Sequence, residues 1–299
     1  MRVGFIGLGN MGRPIAGHLQ RAGHQLAVFD VVPAAGAALV EAGATAAPDI
    51  ATLAAASDVV FLSLPGPAEV DQVVSAVLAD LAMGSVVVDL STNSVEGARA
   101  MADRGAAVGV AFVDAPVSGG RAGAEAGTLA VIVGGDGEAV ERVRPLLETF
   151  SANVFHVGPS GAGALAKLVN NQIFLCASVL IQEGFVLGAK AGMDATALLE
   201  ILKASSAGTV VGAANVFLTR NFDNVSFKLS IAEKDVAVAL ASARALGVAM
   251  PTTEAAHAVY RAAIDDGLGD KVFTATLRTL EERSGVEVAR LARRPQASP

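Results

Sequence analysis

Short apolar runs recur along the first half of the chain: Val3–Ile6, Leu26–Phe29, Val59–Leu62, Val86–Leu90, Ala111–Val113, Leu129–Val133 and Val154–Val157. Several are apolar at consecutive positions instead of alternating, the pattern of strands covered on both faces. Between the early runs lie segments of helical length: Met11–Ala22, Ala34–Ala42, Pro67–Leu81 and Val95–Arg104. Strand and helix in alternation predict a parallel sheet, doubly wound through right-handed crossovers. The run Gly158-Pro159-Ser160-Gly161-Ala162-Gly163 then breaks the pattern. Beyond it a long apolar helix is expected over Ala164–Gly192, and Asp194 is placed to cap another over Ala195–Ala204. Further helices are expected at Ala213–Arg220, Ile231–Leu246, Thr253–Gly267 and Thr274–Gly285. The 299 residues therefore divide into an α/β domain over 1–160 and an all-helical domain over 161–299.

Composition narrows the class of partner. Hydrophobic residues make up 53% and charged residues 17%, which leaves apolar surface to be hidden in a subunit interface. Self-association into a homo-oligomer is expected. Net charge is −7, and apart from Arg290, Arg293 and Arg294 near the end there is no basic block, so nucleic acid is not an expected partner. One cysteine, Cys176, allows no internal disulfide and reads as a core residue. The chain opens on a strand pattern without the basic and apolar regions of a signal peptide, so a cytoplasmic location is expected. The apolar stretch Ala162–Val186 contains Lys167, Asn170, Asn171, Gln172, Gln182 and Glu183. Such groups are costly in lipid, so this stretch is read as a buried core helix and no membrane is expected.

Candidate chemistry begins at Gly7-Leu8-Gly9-Asn10-Met11-Gly12, a GxGxxG motif between a predicted strand and a predicted helix. The first glycine suits a tight turn, the second a close approach of backbone to a pyrophosphate, and the third close packing of helix on strand. The helix N-terminus offers free N–H groups to the phosphates. Asp30 ends the second strand 18 residues after Gly12, near the spacing of an acid that holds a ribose 2′-hydroxyl. Val31 and Val32 follow it, not Arg or Lys, which favours NAD over NADP. His18, His24, His156 and His257 show no ligand spacing, so no metal site is expected.

Three further segments are Asp114-Ala115-Pro116-Val117-Ser118-Gly119-Gly120, then Gly161-Ala162-Gly163 leading to Lys167-Leu168-Val169-Asn170-Asn171, and Lys234-Asp235. Taken singly they read as a turn after a strand, a lysine at a helix start and a solvated pair. With the glycine motif, the chain from Val3 to about Glu282 resembles the 3-hydroxyisobutyrate dehydrogenases, within the β-hydroxyacid dehydrogenase family that also includes tartronate semialdehyde reductases. The resemblance implies a Rossmann domain, a long connecting helix and an all-α domain that carries subunit contacts. It implies hydride transfer between NAD and a small 3-hydroxy acid or semialdehyde. By the same resemblance Ser118, Gly119 and Gly120 hold the substrate carboxylate, Lys167 is the catalytic acid/base, Asn171 positions the reacting oxygen, and Lys234 reaches the cofactor.

The positions after the third and fourth long runs, Leu64, Pro65 and Thr92, fall at the carboxyl ends of strands, where this fold binds ligands. Lys167 and Asn171 lie in an apolar segment with Leu165, Leu168, Val169, Ile173 and Phe174, where the lysine is expected to be partly desolvated, which favours its neutral form. Selectivity for the third substituent is assigned loosely to Arg121, Phe227 and Lys228. Alternatives of the same architecture are an imine reductase or a catalytically silent NAD-binding module. Lys167 argues against the first, and retention of Lys167 and Asn171 against the second.

Overall fold

A computed structural model describes residues 1–211 and 217–288. The expected helix Ala213–Arg220 falls partly, and the basic tail wholly, outside the described residues. The chain divides by internal contacts into two compact units, Met1–Val169 and Asn170–Pro299.

The first unit is built on a nine-stranded sheet: β1 (Arg2–Ile6), β2 (Gln25–Phe29), β3 (Thr45–Ala46), β4 (Val59–Leu62), β5 (Val86–Asp89), β6 (Ala111–Asp114), β7 (Val117–Ser118), β8 (Leu129–Gly134) and β9 (Ser151–Gly158). The order is β3-β2-β1-β4-β5-β6-β8-β7, with β9 paired to β8. From β3 to β6 every pairing is parallel. Neighbouring residues of one strand enter different cores. Phe5, Phe61 and Val88 join Ile15, Leu19 and Phe150 in one. Ile6, Leu62 and Val87 join Leu53, Val74 and Met101 in the other. This two-sided burial is why the central runs are continuously apolar.

The helices of this unit are α1 (Gly12–Arg21), α2 (Ala37–Glu41), α3 (Ile50–Ala55), α4 (Pro67–Asp80), α5 (Val95–Ala107), α6 (Gly120–Ala126) and α7 (Gly137–Leu147). The sequence pattern did not reveal α3, α6 or α7. Asp49 and Asp136 cap α3 and α7, their carboxylates accepting from Thr52 N and from Glu138 N and Ala139 N. The expected parallel sheet carries an antiparallel segment at one side. β8 runs antiparallel to β6 and β7, and only β9 restores a parallel pair. The link from β6 carries the two-residue strand β7 and the seven-residue helix α6. It returns β8 beside β7 with Val117 opposite Val131 and Ser118 opposite Ala130, in place of a longer helical crossover.

Helix α8 (Ala162–Lys190) runs from the first unit into the second. By length and composition alone it could cross a membrane. Gln182 on it has no exposed surface. Its side chain donates to Ser178 Oγ and accepts from Thr276 Oγ1, the bonding of a helix inside a protein core.

The second unit continues with α9 (Ala195–Ala204), α10 (Leu229–Ala245), α11 (Pro251–Asp265) and α12 (Thr276–Ser284). Asp194 caps α9 through Ala197 N, as expected. Phe185, Phe217, Val236, Tyr260 and Phe273 lie in its core.

Candidate active site

Parallel strands in register bring their carboxyl ends to one edge of the sheet. Ile6 is paired with Phe29 and Leu62, Leu62 with Asp89, and Asp89 with Asp114. The segments that follow, Gly7–Gly12, Asp30, Ser63–Pro65, Leu90–Asn93 and Ala115–Gly120, therefore emerge together.

The glycine turn is fixed by contacts that no larger residue permits. Gly7 has φ +93°, and a Cβ there would lie 2.3 Å from the Ser63 carbonyl oxygen. A Cβ on Gly12 would lie 1.9 Å from the Gly7 oxygen, so α1 packs directly on the turn. Gly9 differs, because a Cβ there would meet nothing within 4 Å. No internal packing demands glycine at 9, and the open space above its backbone suits a pyrophosphate. Leu8 offers its backbone N–H, which donates to Asp30 Oδ2 at 2.6 Å, while its side chain is buried in the core. Asn10 is exposed and Met11 half-buried at the start of α1.

The other oxygen of Asp30 accepts from Val32 N at 2.8 Å, so the carboxylate is held beside the turn. Val31 and Val32 are 88% and 59% exposed. These residues fit a dinucleotide: a bare backbone at Gly9 and an oriented acid at Asp30.

A hydrogen-bonded chain links the next two loops. Leu64 N donates to Ser91 Oγ at 2.9 Å, Ser91 N to Asp89 Oδ1 at 2.9 Å, and Asn93 Nδ2 to Asp89 Oδ2 at 3.1 Å. Burial pushes the Asp89 carboxyl up to about 6, against the pull of these hydrogen bonds. Sequence reading missed this network. Its only signal was an Asp, Ser and Asn within five positions after a strand. Pro65 is exposed and Thr92 half-buried at the same edge.

Ser118 is half-buried at the end of β7. Gly119 and Gly120 are exposed, with φ +128° and +62°, a backbone path that favours glycine and leaves the segment free of side chains. Arg121 on α6 pairs with Glu125 at 2.7 Å.

Lys167 and Asn171 stand one helical turn apart on α8. The apolar jacket expected around Lys167 is incomplete in the single chain. Leu168 is buried, but Leu165, Val169, Ile173 and Phe174 are 40–60% exposed, and the lysine itself is half-buried.

In the second unit Asn171 is buried and its Nδ2 donates to Asp235 Oδ2 at 2.7 Å. Its Oδ1 accepts from Asn170 Nδ2 at 3.0 Å. Asp235 is also buried, and its Oδ1 lies 2.7 Å from Lys234 Nζ. The pair Lys234-Asp235, which alone reads as a solvated face, thus fastens Asn171. Phe227 packs against Phe273 in the core, and Lys228 forms a surface pair with Asp270 at 2.9 Å.

Comparison with known proteins agrees with the fold of the first unit. Residues 2–158 match the NAD-binding domain of 6-phosphogluconate dehydrogenase, and residues 161–280 match the NAD-binding domain of NADP-dependent 3-hydroxyisobutyrate dehydrogenase. The chain is 35% identical over 294 residues to 2-(hydroxymethyl)glutarate dehydrogenase of Eubacterium barkeri, covering 97% of this chain and 98% of that one. It is 36% identical over 296 residues to the NAD-dependent L-serine dehydrogenase of Pseudomonas aeruginosa, covering 95% and 99%. The solved structure of Mycobacterium tuberculosis 3-hydroxyisobutyrate dehydrogenase with L-serine superposes with a TM-score of 0.85 at 32% identity, covering 94% and 99%. With a nicotinamide-dinucleotide fold at its start and relatives matched along almost its whole length, the chain belongs to the 3-hydroxyisobutyrate dehydrogenase family of hydroxy-acid oxidoreductases.

Proposed function

We propose that this protein uses NAD to oxidise the 3-hydroxyl of a small 2-substituted 3-hydroxy acid, or to reduce the matching semialdehyde. The observation that carries the reading is the spacing of Lys167 and Asn171 by one turn of α8, Asn171 being anchored by Asp235. The relatives named above act on, or are bound to, acids that share the fragment HOCH2–CH(X)–COO⁻, with X an amino or a carboxyethyl group. The shared hydroxyl and carboxylate are what Lys167, Asn171, Ser118, Gly119 and Gly120 address.

Bound nicotinamide supplies the hydride acceptor for the carbon that bears the hydroxyl. Lys167 removes the hydroxyl proton as the carbonyl forms, and returns it in the reverse direction. One N–H of the Asn171 amide serves Asp235, and the other orients the reacting oxygen. Ser118 Oγ and the unobstructed backbone of Gly119 and Gly120 receive the carboxylate. Gly7 to Gly12, Asp30, Leu64, Pro65 and Thr92 hold the dinucleotide, and Lys234 is assigned to the cofactor by the family resemblance. Asp30 favours NAD, because a 2′-phosphate would meet its carboxylate, and neither Val31 nor Val32 is a cation.

We also infer that a soluble, cytoplasmic enzyme self-associates through α8. Ile173, Leu180 and Leu187 recur every seven residues and are 60–71% exposed in the single chain, a stripe suited to a second copy. Light scattering is expected to give a dimer or tetramer, and a monomer at micromolar concentration would refute this part.

The decisive assay is NADH formation from NAD and from NADP with L-serine, 3-hydroxyisobutyrate and 2-(hydroxymethyl)glutarate. Turnover with NAD that is lost in Lys167→Ala supports the reading. Full activity in Lys167→Ala, or silence of the wild type with every acid, overturns it.

A further inference from the structure

Asp114 is the last residue of β6 and is 1% exposed, yet it forms no salt bridge among the described residues. Its two carboxylate oxygens are divided between two backbone amides at the start of α8. Oδ1 accepts from Gly161 N at 2.9 Å, and Oδ2 accepts from Ala164 N at 2.8 Å. Nothing stands between the strands and this first helical turn. A Cβ on Gly163 would lie 2.5 Å from the Ile132 oxygen and 2.6 Å from the Asp114 oxygen. A Cβ on Gly134 would lie 2.7 Å from both Asp114 Oδ2 and Gly163 N. The first turn of α8 therefore rests directly on the backbone of β6 and β8, with the Asp114 side chain as the clasp. Burial raises the carboxyl's affinity for protons, and the amide bonds oppose that effect.

The same residue leads two ways. Its backbone runs through Ala115 and Pro116 into Val117–Ser118 and the Gly119-Gly120 turn. Its side chain holds the turn from which Lys167 projects, three residues beyond Ala164, a rise of about 4.5 Å along the axis. Ala164 and Leu168, 1% and 2% exposed, pin the same helix on its buried side.

We propose that Asp114 is a positioning residue for the dehydrogenase reaction, setting the Lys167 amine against the Ser118-Gly119-Gly120 segment. This inference rests on the catalytic reading of Lys167 given above. Proton transfer is sensitive to placement, and an error near 1 Å can cost about 10²-fold in rate. Asp114 touches neither the glycine turn nor Asp30, so its loss should leave dinucleotide binding alone.

The test is a set of three variants, Asp114→Asn, Asp114→Ser and Lys167→Ala, assayed with the acid that the wild type turns over fastest. NADH affinity is measured by fluorescence, and amide exchange over residues 161–168 by mass spectrometry. Asp114→Asn keeps the volume but has one acceptor oxygen for two amides, and Asp114→Ser keeps a single short acceptor. The expected result is a fall in kcat of about 10–100-fold in either Asp114 variant. NADH affinity and KM for NAD stay within twofold, and amide exchange at the first turn is faster.

Wild-type kcat in a folded Asp114→Asn or Asp114→Ser, with Lys167→Ala inactive, overturns the positioning role and leaves the catalytic reading standing. A parallel loss of NADH affinity and kcat also overturns it, since that marks general damage to the unit. If Lys167→Ala keeps wild-type turnover, or the wild type turns over no acid, the catalytic reading itself fails and this inference with it.

Discussion

Asn171 and Asp235 are 64 positions apart in sequence, yet the Asn171 amide donates to the Asp235 carboxylate across 2.7 Å inside the helical unit. The other carboxylate oxygen pairs with Lys234 at 2.7 Å. One buried acid therefore orients an amide assigned to the substrate and an ammonium assigned to the cofactor. Its removal should disturb both.

Asp235→Ala is expected to lower kcat through Asn171 and to raise KM for NAD through Lys234. Lys234→Ala should raise KM for NAD alone. Leaving the buried amide unpaired should also cost about 1–3 kcal/mol in urea unfolding. An Asp235→Ala enzyme with unchanged kcat would contradict the link.

The glycine turn gives a second contrast. Gly12→Ala drives a Cβ into the Gly7 carbonyl oxygen and should destabilise the first unit by about 1–3 kcal/mol. Gly9→Ala meets nothing within the chain and should leave the melting temperature unchanged while weakening NADH binding. Comparing melting temperature with NADH affinity in the two variants separates packing from ligand approach. Equal affinity in Gly9→Ala and wild type would refute the assignment of that open space.

Cofactor preference is expected to turn on Asp30. Asp30→Ser removes the charge opposed to a 2′-phosphate, so the ratio of kcat/KM for NAD over NADP should fall by about tenfold or more, the scale of one charge-assisted hydrogen bond. Kinetics with both cofactors check this. A ratio that does not move would show that discrimination lies elsewhere.

Asp89 predicts a pH effect with a definite sign. In the fold its carboxyl is raised from 3.8 to about 6 by burial. Between those values the folded chain holds more protons than the unfolded one, so this residue's contribution to stability declines as pH rises through the window and levels off above about 7. At about 1.4 kcal/mol per pH unit the full change is about 3 kcal/mol. The stability difference between wild type and Asp89→Asn, from urea unfolding at pH 4.5 and 7.5, should shift against the wild type at the higher pH. A pH-independent difference would contradict it.

Local physics was legible where it is written in neighbouring residues. The central strands announced themselves because both faces are covered, and Gly7, Gly12 and Asp30 because a turn, a close contact and a strand end fix their spacing. The direction of β8 was not legible, since pairing is decided by how the β7 and α6 link folds back. Nor were the roles of Asp89, Asp114 and Asp235 as internal anchors. Asp114 and Asp235 bind groups brought near by tertiary structure, Asp89 binds the loop that follows it, and from sequence alone a buried acid looks like an exposed one.

The two margins of the sheet bear on how safely the protein can be kept concentrated. β3, with two residues, offers almost no template for another strand. β9 is eight residues long, and its Phe155 and Val157 are about half exposed. Its pairing with β8 slips between Leu129 and Ala130 and again between Val133 and Gly134. Only Asn153 to His156 remains a regular ladder, and irregularities of this kind twist a margin away from flat stacking. These irregularities deny a fibril a straight edge on which to grow.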